Sequence, residues 1–148
     1  MTTLKDILCT SANRQKVISD TTRLVDDEVR AKSGISGLAI KAGYKTINAV
    51  KPTLVRDAVD NLLDRFVDKL EPSYEAWVAG GKNGTFGGYL SSRSKETANA
   101  LLAVTDDRAR NVDNQTIKKT YQKLRPQGEK NVEAAIPGLG RTLDRYVT

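Results

Sequence analysis

The sequence contains no histidine and a single cysteine, Cys9. Without histidine it lacks the usual general base of serine and cysteine nucleophile systems and a common zinc ligand. One cysteine cannot form a disulfide within the chain. These absences exclude most familiar hydrolytic and zinc-dependent chemistry, and we expect no cofactor and no metal site. For Cys9 we expect a structural thiol.

Aromatic residues and long apolar runs are also scarce. Aromatic residues make up 5% of the 148 positions, and no stretch approaches the roughly 18 apolar residues that a membrane span needs. Neither a secretory signal nor a prenylation box is recognisable. We therefore expect a cytoplasmic protein without membrane contact, and a lone thiol suits that reducing compartment.

The composition is that of a basic globular domain. Hydrophobic residues account for 39% and charged residues for 28% of the chain, and the net charge is +6. The length fits one domain, which we place at residues 1–148. A basic balance can attract nucleic acid or acidic proteins, but it does not determine the fold.

Helical periodicity is the strongest pattern in the sequence. Residues 13–32, 36–50 and 53–70 each repeat apolar side chains at three- and four-residue steps. We predict that Pro72 ends the third of these helices and that Pro137 starts a last short helix. The fold class is therefore all-α, a single domain of seven or eight helices around one core, with residues 13–32 and 53–70 as its main supports.

Glycine gives two local expectations. Gly43 lies inside a predicted helix, where glycine is unfavourable, so we expect a neighbouring helix to approach closely there. Five glycines fall within residues 80–88, which predicts a loop. The loop lacks the spacing and the preceding strand of a phosphate-binding loop, so nucleotide binding is not indicated.

Four aspartates form a stripe opposite the apolar face of residues 53–70. The outward direction favours a solvated face over a metal site, because carboxylates that bind metals in bundles point inward. A pair between Arg56 and Asp60, one turn apart, fits the solvated interpretation. The stripe consists of Asp57, Asp60, Asp64 and Asp68.

Aromatic and basic residues supply the candidate binding sites. Four aromatic residues flank the glycine-rich segment and are candidates for contact with a partner, the alternative being that Trp77 and Phe86 are buried and anchor the loop. They are Tyr74, Trp77, Phe86 and Tyr89. Two segments, residues 29–56 and 114–128, contain no acidic residue and form a polyanion or nucleic-acid site if they meet in space, the alternative being solvated lysines. Their candidate residues are Lys41, Lys45, Lys51, Lys118, Lys119 and Lys123.

Several segments together resemble a family of small bacterial proteins of uncharacterised function. The similar segments include Lys-Ser-Gly-Ile-Ser-Gly at 32–37 and Gly-Gly-Tyr-Leu at 87–90, and they continue through residues 42–45, 50–52, 55–59, 100–106 and 121–125. The resemblance implies a bacterial, cytoplasmic, helical domain. It implies no activity, cofactor or site residue.

The residues thus favour a non-enzymatic binding or protein-interaction module, because groups that usually move protons or hold metals are absent or face solvent. A basic nucleic-acid-associated protein is the first alternative. An enzyme of unknown class that uses only Arg, Lys and carboxylates is the second. Whether the partner is another protein or a second copy of the chain stays open.

Overall fold

The computed structural model describes residues 2–147, which form eight α-helices and one 3₁₀ turn, with no strand in that range. The number of helices and the all-α class are as predicted. In chain order the elements are α1 (Leu4–Leu8), α2 (Arg14–Ala31), α3 (Gly34–Val50), α4 (Leu54–Ala79), α5 (Phe86–Ser91), α6 (Ser94–Arg110), α7 (Gln115–Leu124), a 3₁₀ turn (Arg125–Gln127) and α8 (Gly128–Val147).

Helix α4 is the central element of the core. Its apolar stripe follows the predicted spacing. Because α4 extends to Ala79, the stripe continues beyond residue 70 to the buried Tyr74 and Trp77. α1, α2 and α5 pack against it, and side chains of α8 belong to the same buried cluster. α2 is a smaller support than predicted, since Val17 and Ile18 are its buried side chains.

Both proline predictions are wrong. Pro72 lies within α4 and Pro137 lies within α8. Each side chain is exposed, so the ring points to solvent and the helix continues past the missing backbone N–H. Buried side chains before and after each proline stabilise the helix by more than the proline destabilises it. Around Pro72 these side chains are Leu70 and Tyr74.

The glycine-rich loop is shorter than predicted, because α5 begins at Phe86. Thr85 caps this helix, its Oγ1 accepting from the backbone N–H of Gly88 at 2.9 Å. An Asp144 carboxylate oxygen accepts a second hydrogen bond, from the N–H of Gly87, also at 2.9 Å. These two acceptors satisfy N–H groups that a helix start leaves unpaired.

None of the helices in residues 2–147 combines the length and the apolar character that crossing a membrane requires.

Candidate functional site

α3 packs against α7, and Gly43 lies in their contact. A Cβ atom at position 43 would be 2.7 Å from Cδ1 of Leu124 and 3.3 Å from Cγ2 of Thr120. The space that a larger residue would need is therefore already filled by α7. The prediction of a close neighbour at Gly43 is confirmed, and the two acid-free segments of the sequence lie side by side.

This two-helix layer carries the predicted lysines. Lys51, just after α3, forms an ion pair in which its Nζ lies 2.9 Å from Asp57 Oδ2. Across the described residues none of the other five lysines forms an ion pair. Those five are Lys41, Lys45, Lys119 and Lys123, which are exposed, and Lys118, which is half-buried.

The most unusual feature of α3 is its exposed apolar surface. Ile35 is 89% exposed, Leu38 69% and Val50 40%, and no other large hydrophobic side chain within residues 2–147 is comparably exposed. The inner side of the same helix is formed by the half-buried Ile40 and Ile47. α3 is thus apolar on both sides but packed against the protein on only one.

The sequence analysis predicted a helix with apolar periodicity at residues 36–50, but it did not predict a second, exposed apolar side. The signal was present, because the apolar residues of α3 cover well over half of the helix circumference at about 100° per residue, which is wider than the single apolar stripe of an ordinary surface helix. Ile35 and Leu38 therefore join the candidate site residues.

A half-buried cluster holds α7 to α6. Arg125 donates from Nε to Asp106 Oδ1 at 2.7 Å and from a terminal nitrogen to Oδ2 at 3.1 Å, and the Tyr121 hydroxyl donates to the same carboxylate at 2.5 Å. The hydrogen bonds from Arg125 keep the pKa of Asp106 below its ordinary value. Burial, reinforced by the hydrogen bond to Asp106, raises the pKa of Tyr121 to about 12. The cluster is consequently a charged clamp at neutral pH.

Three of the four aromatic residues near the glycine-rich segment are buried, and the fourth is half-buried. Tyr74, Trp77 and Phe86 are buried with their ring centroids 5.5–5.9 Å apart. Tyr89 is half-buried under the guanidinium of Arg93, 4.2 Å from its ring. Burial of Trp77 and Phe86 agrees with the anchoring alternative, and partner contact by the four residues stays a prediction.

The aspartates of the acidic stripe on α4 form ion pairs with basic side chains of neighbouring elements. Arg14 reaches both Asp60 and Asp64 at 3.3 Å, and Lys5 lies 2.7 Å from Asp68. The predicted pair of Arg56 with Asp60 is wrong, because Arg56 hydrogen-bonds to side chains of α2 instead. Within residues 2–147 no three His, Cys, Asp or Glu side chains come close enough to hold a metal ion.

Two clefts lie beside α2 and α8. Their volumes are about 350 and 480 Å³, and Asp20 lines both. The larger is lined by exposed charges such as Arg23 and Arg141. An active site favours enclosed space with buried charge, and these two clefts are open to solvent.

The fold and the α3–α7 layer define an all-helical protein with an exposed apolar helix face set among unpaired lysines. The chain belongs to a family of unknown function, DUF6918, whose model matches residues 4–147. This agrees with the resemblance to an uncharacterised family noted in the sequence. Comparison with curated proteins and with solved structures finds no match.

Proposed function

We propose that this protein is a non-enzymatic interaction module that binds another protein through the outer face of α3. We call this surface the docking face; it comprises Ile35, Leu38, Ala42 and Ala49, with Lys41 and Lys45 beside them. The observation that carries the proposal is the exposure of Ile35 and Leu38. Adjacent aliphatic side chains left in water favour coverage by a partner, because removing apolar surface from water is favourable.

The setting that we infer is the cytoplasm of a bacterium. The half-buried Cys9 is the only cysteine, so the chain has no disulfide to maintain. Burial, together with a hydrogen bond to Asp64, raises the pKa of the Cys9 thiol to about 11. A thiol of this kind is compatible with a reducing compartment and has no need of a redox role.

Site-specific photocrosslinking in cells tests the proposal. A photoreactive phenylalanine analogue is placed at position 38, and the matched control carries it at position 69, where Lys69 is exposed on α4. We expect nuclease-resistant protein adducts from position 38 that are absent from position 69. Equal adducts from both positions, adducts that disappear on nuclease treatment, or adducts only with the chain itself would contradict the proposal.

A second candidate, a nucleic-acid-associated protein, is favoured by one observation: α3 and α7 pack together, so their lysines share one layer. Phosphates would engage these lysines, and affinity would then fall roughly 10²- to 10³-fold between 50 and 200 mM salt for about five contacts. We rank this function second because aliphatic side chains such as Leu38 cannot stack on bases.

Titration of labelled single-stranded and duplex DNA and of RNA at these two salt concentrations separates the candidates. The interaction module is expected to bind none of them at 200 mM salt. Absence of binding at 50 mM as well would eliminate the second candidate. Binding at both concentrations that is lost in Lys41→Glu would instead favour it.

A further inference from the structure

We propose that the partner presents an acidic amphipathic helix that lies along the docking face between two rows of lysines. This inference rests on the proposed function and specifies the occupant of the same surface. It follows from three properties of α3: the spacing of its exposed apolar residues, their size, and the position of the charges on either side.

The spacing matches a helix–helix seam. At about 100° per residue, Ile35, Leu38, Ala42 and Ala49 fall within a sector of roughly 60°. Their separations of three, four and seven residues follow the heptad rule for helices that pack side by side. With a rise of about 1.5 Å per residue this seam is roughly 21 Å long. It therefore suits a partner segment of about four helical turns.

The sizes of these residues favour a helix as the occupant. Two bulky side chains, Ile35 and Leu38, lie in the first half of α3, and the small Ala42 and Ala49 lie in the second half. A partner helix can approach closely over the alanines while its own large residues fill the space beside them. α3 offers no unpaired backbone edge, so strand addition is not available at this surface.

The charges on both sides of the seam are positive. Gly43 faces Leu124, so α7 lies on one side of α3, and Lys41 and Lys45 project on the opposite side of the seam. On α7, Thr120 and Leu124 contact α3, which places Lys119 and Lys123 on the adjoining solvent side. The seam is thus flanked by two lysines on each side.

The positive charge beside the seam favours an acidic helix over a second copy of this chain. Residues 29–56 and 114–128 contain no carboxylate to neutralise these lysines, and the matching edge of a partner helix is therefore acidic. A second copy of this chain would place lysine rows of like charge together. A lipid surface gains little from the seam, because only Ile35 and Leu38 project far enough to enter it.

Fluorescence anisotropy with three synthetic 18-residue peptides tests this inference. The first has leucines at heptad positions and glutamates beside them, the second has the same composition in an order without an apolar stripe, and the third replaces the glutamates with lysines. We expect saturable binding of the first peptide alone at 50 mM salt, weakening at 300 mM salt as the charges are screened.

Variants of the protein locate the binding. Leu38→Asp is expected to lower the affinity for the first peptide at least about tenfold, because it removes a central apolar contact. Lys41→Glu and Lys119→Glu are each expected to weaken it roughly three- to tenfold. The matched control Lys69→Glu makes the same change in net charge at an exposed position on α4. It should alter the affinity for the peptide less than about twofold. Circular dichroism checks folding, and Ile35→Asp is the second variant if Leu38→Asp unfolds.

The outcomes separate this inference from the proposed function. Equal binding of the first two peptides, no binding of the first, or an unchanged affinity in Leu38→Asp would overturn the acidic helix as occupant. Binding to phosphatidylglycerol vesicles that is lost in Leu38→Asp would also overturn it. If position 38 nevertheless crosslinks to a protein in cells, the interaction module stands and only the chemistry of the partner is wrong.

Discussion

Gly87 and Gly140 show what a single missing side chain does in this fold. A Cβ at position 140 would lie 2.6 Å from the Cα of Gly87, and a Cβ at position 87 would lie 2.8 Å from the carbonyl carbon of Gly140. The two backbones of α5 and α8 are therefore in direct contact. Neither can move aside like the end of a flexible side chain, so both positions require glycine for packing.

Gly140→Val is expected to lower the free energy of unfolding by roughly 1–3 kcal/mol, the usual range for overpacking a filled core. Chemical denaturation followed by circular dichroism measures it. Gly80→Ala is the control, because a Cβ there meets its nearest atom at an ordinary 3.4 Å and the residue is exposed. A loss in Gly140→Val no larger than in the control would refute the backbone contact.

Cys9 gives a second prediction at this scale. Burial raises the pKa of its thiol to about 11, and the hydrogen bond to Asp64 acts in the same direction. At pH 8 the thiolate fraction is then on the order of 100-fold below that of an ordinary cysteine. We expect alkylation by iodoacetamide to be slower by about that factor in the native protein than in denaturant. Similar rates in both states would contradict the buried setting of Cys9.

At the scale of elements, α3 and α7 form a layer that contributes little to the core. The buried residues of α3 are Gly37 and Gly43, and α7 has none in the described structure. Segments with few buried apolar contacts open at lower free energy than the rest of a protein. The clamp of Asp106 with Tyr121 and Arg125 is accordingly a main attachment of α7.

Hydrogen exchange should show this division. Amides of α3 and α7 are expected to exchange faster than those of α4 and α8. Asp106→Asn removes the charge that Arg125 contacts and should speed exchange in α7 while leaving α4 unchanged. Asp107→Asn is the matched control, because the ion pairs of Asp107 are with Arg65 on α4 and Arg110 on α6. Equal protection of α7 in Asp106→Asn and in the parent would refute the clamp.

Acid should release the same clamp. The folded-state pKa of Asp106 is lowered, first by its hydrogen bonds with Arg125. Its contribution to stability is therefore present above the unfolded-state pKa of about 3.9 and is lost as the pH falls through the lower folded value. In pulse-labelled exchange, we expect α7 to lose protection below about pH 4 in the parent. The Asp106→Asn variant should lack this pH-dependent step.

The helices of this protein could be predicted from spacing, because apolar periodicity reports which side of each helix is buried. α2, α3 and the first part of α4 were found in this way, and Gly43 predicted a neighbour. The two proline predictions were wrong because an isolated proline with an exposed ring does not end a helix whose segments before and after it are held in the core. The wide apolar surface of α3 could be read from its sequence, but which part of that surface stays exposed, at Ile35 and Leu38, depends on which tertiary neighbours α3 lacks.

At the scale of the whole molecule, the unpaired positive charge and the exposed apolar side chains lie in the same layer, that of α3 and α7. The net charge is +6, and the four carboxylates of the α4 stripe are already paired with Lys5, Arg14 and Lys51. Within residues 2–147, five lysines of the α3–α7 layer have no such partner. The unpaired positive charge of this layer therefore lies beside the exposed apolar side chains Ile35 and Leu38, which limits what can cover them.

Self-association tests this balance. Two copies meeting through α3 would bury Ile35 and Leu38 but would bring the lysines of both chains together, so we expect a monomer of 16.2 kDa at 150 mM salt by sedimentation velocity. At 1 M sodium sulfate, screening of the lysines and stronger apolar association should produce a dimer. Leu38→Asp should remain monomeric in both conditions, whereas Lys69→Glu should behave like the parent. A stable dimer at 150 mM salt that persists in Lys69→Glu and is lost in Leu38→Asp would show that a second copy, and not an acidic partner, covers the docking face.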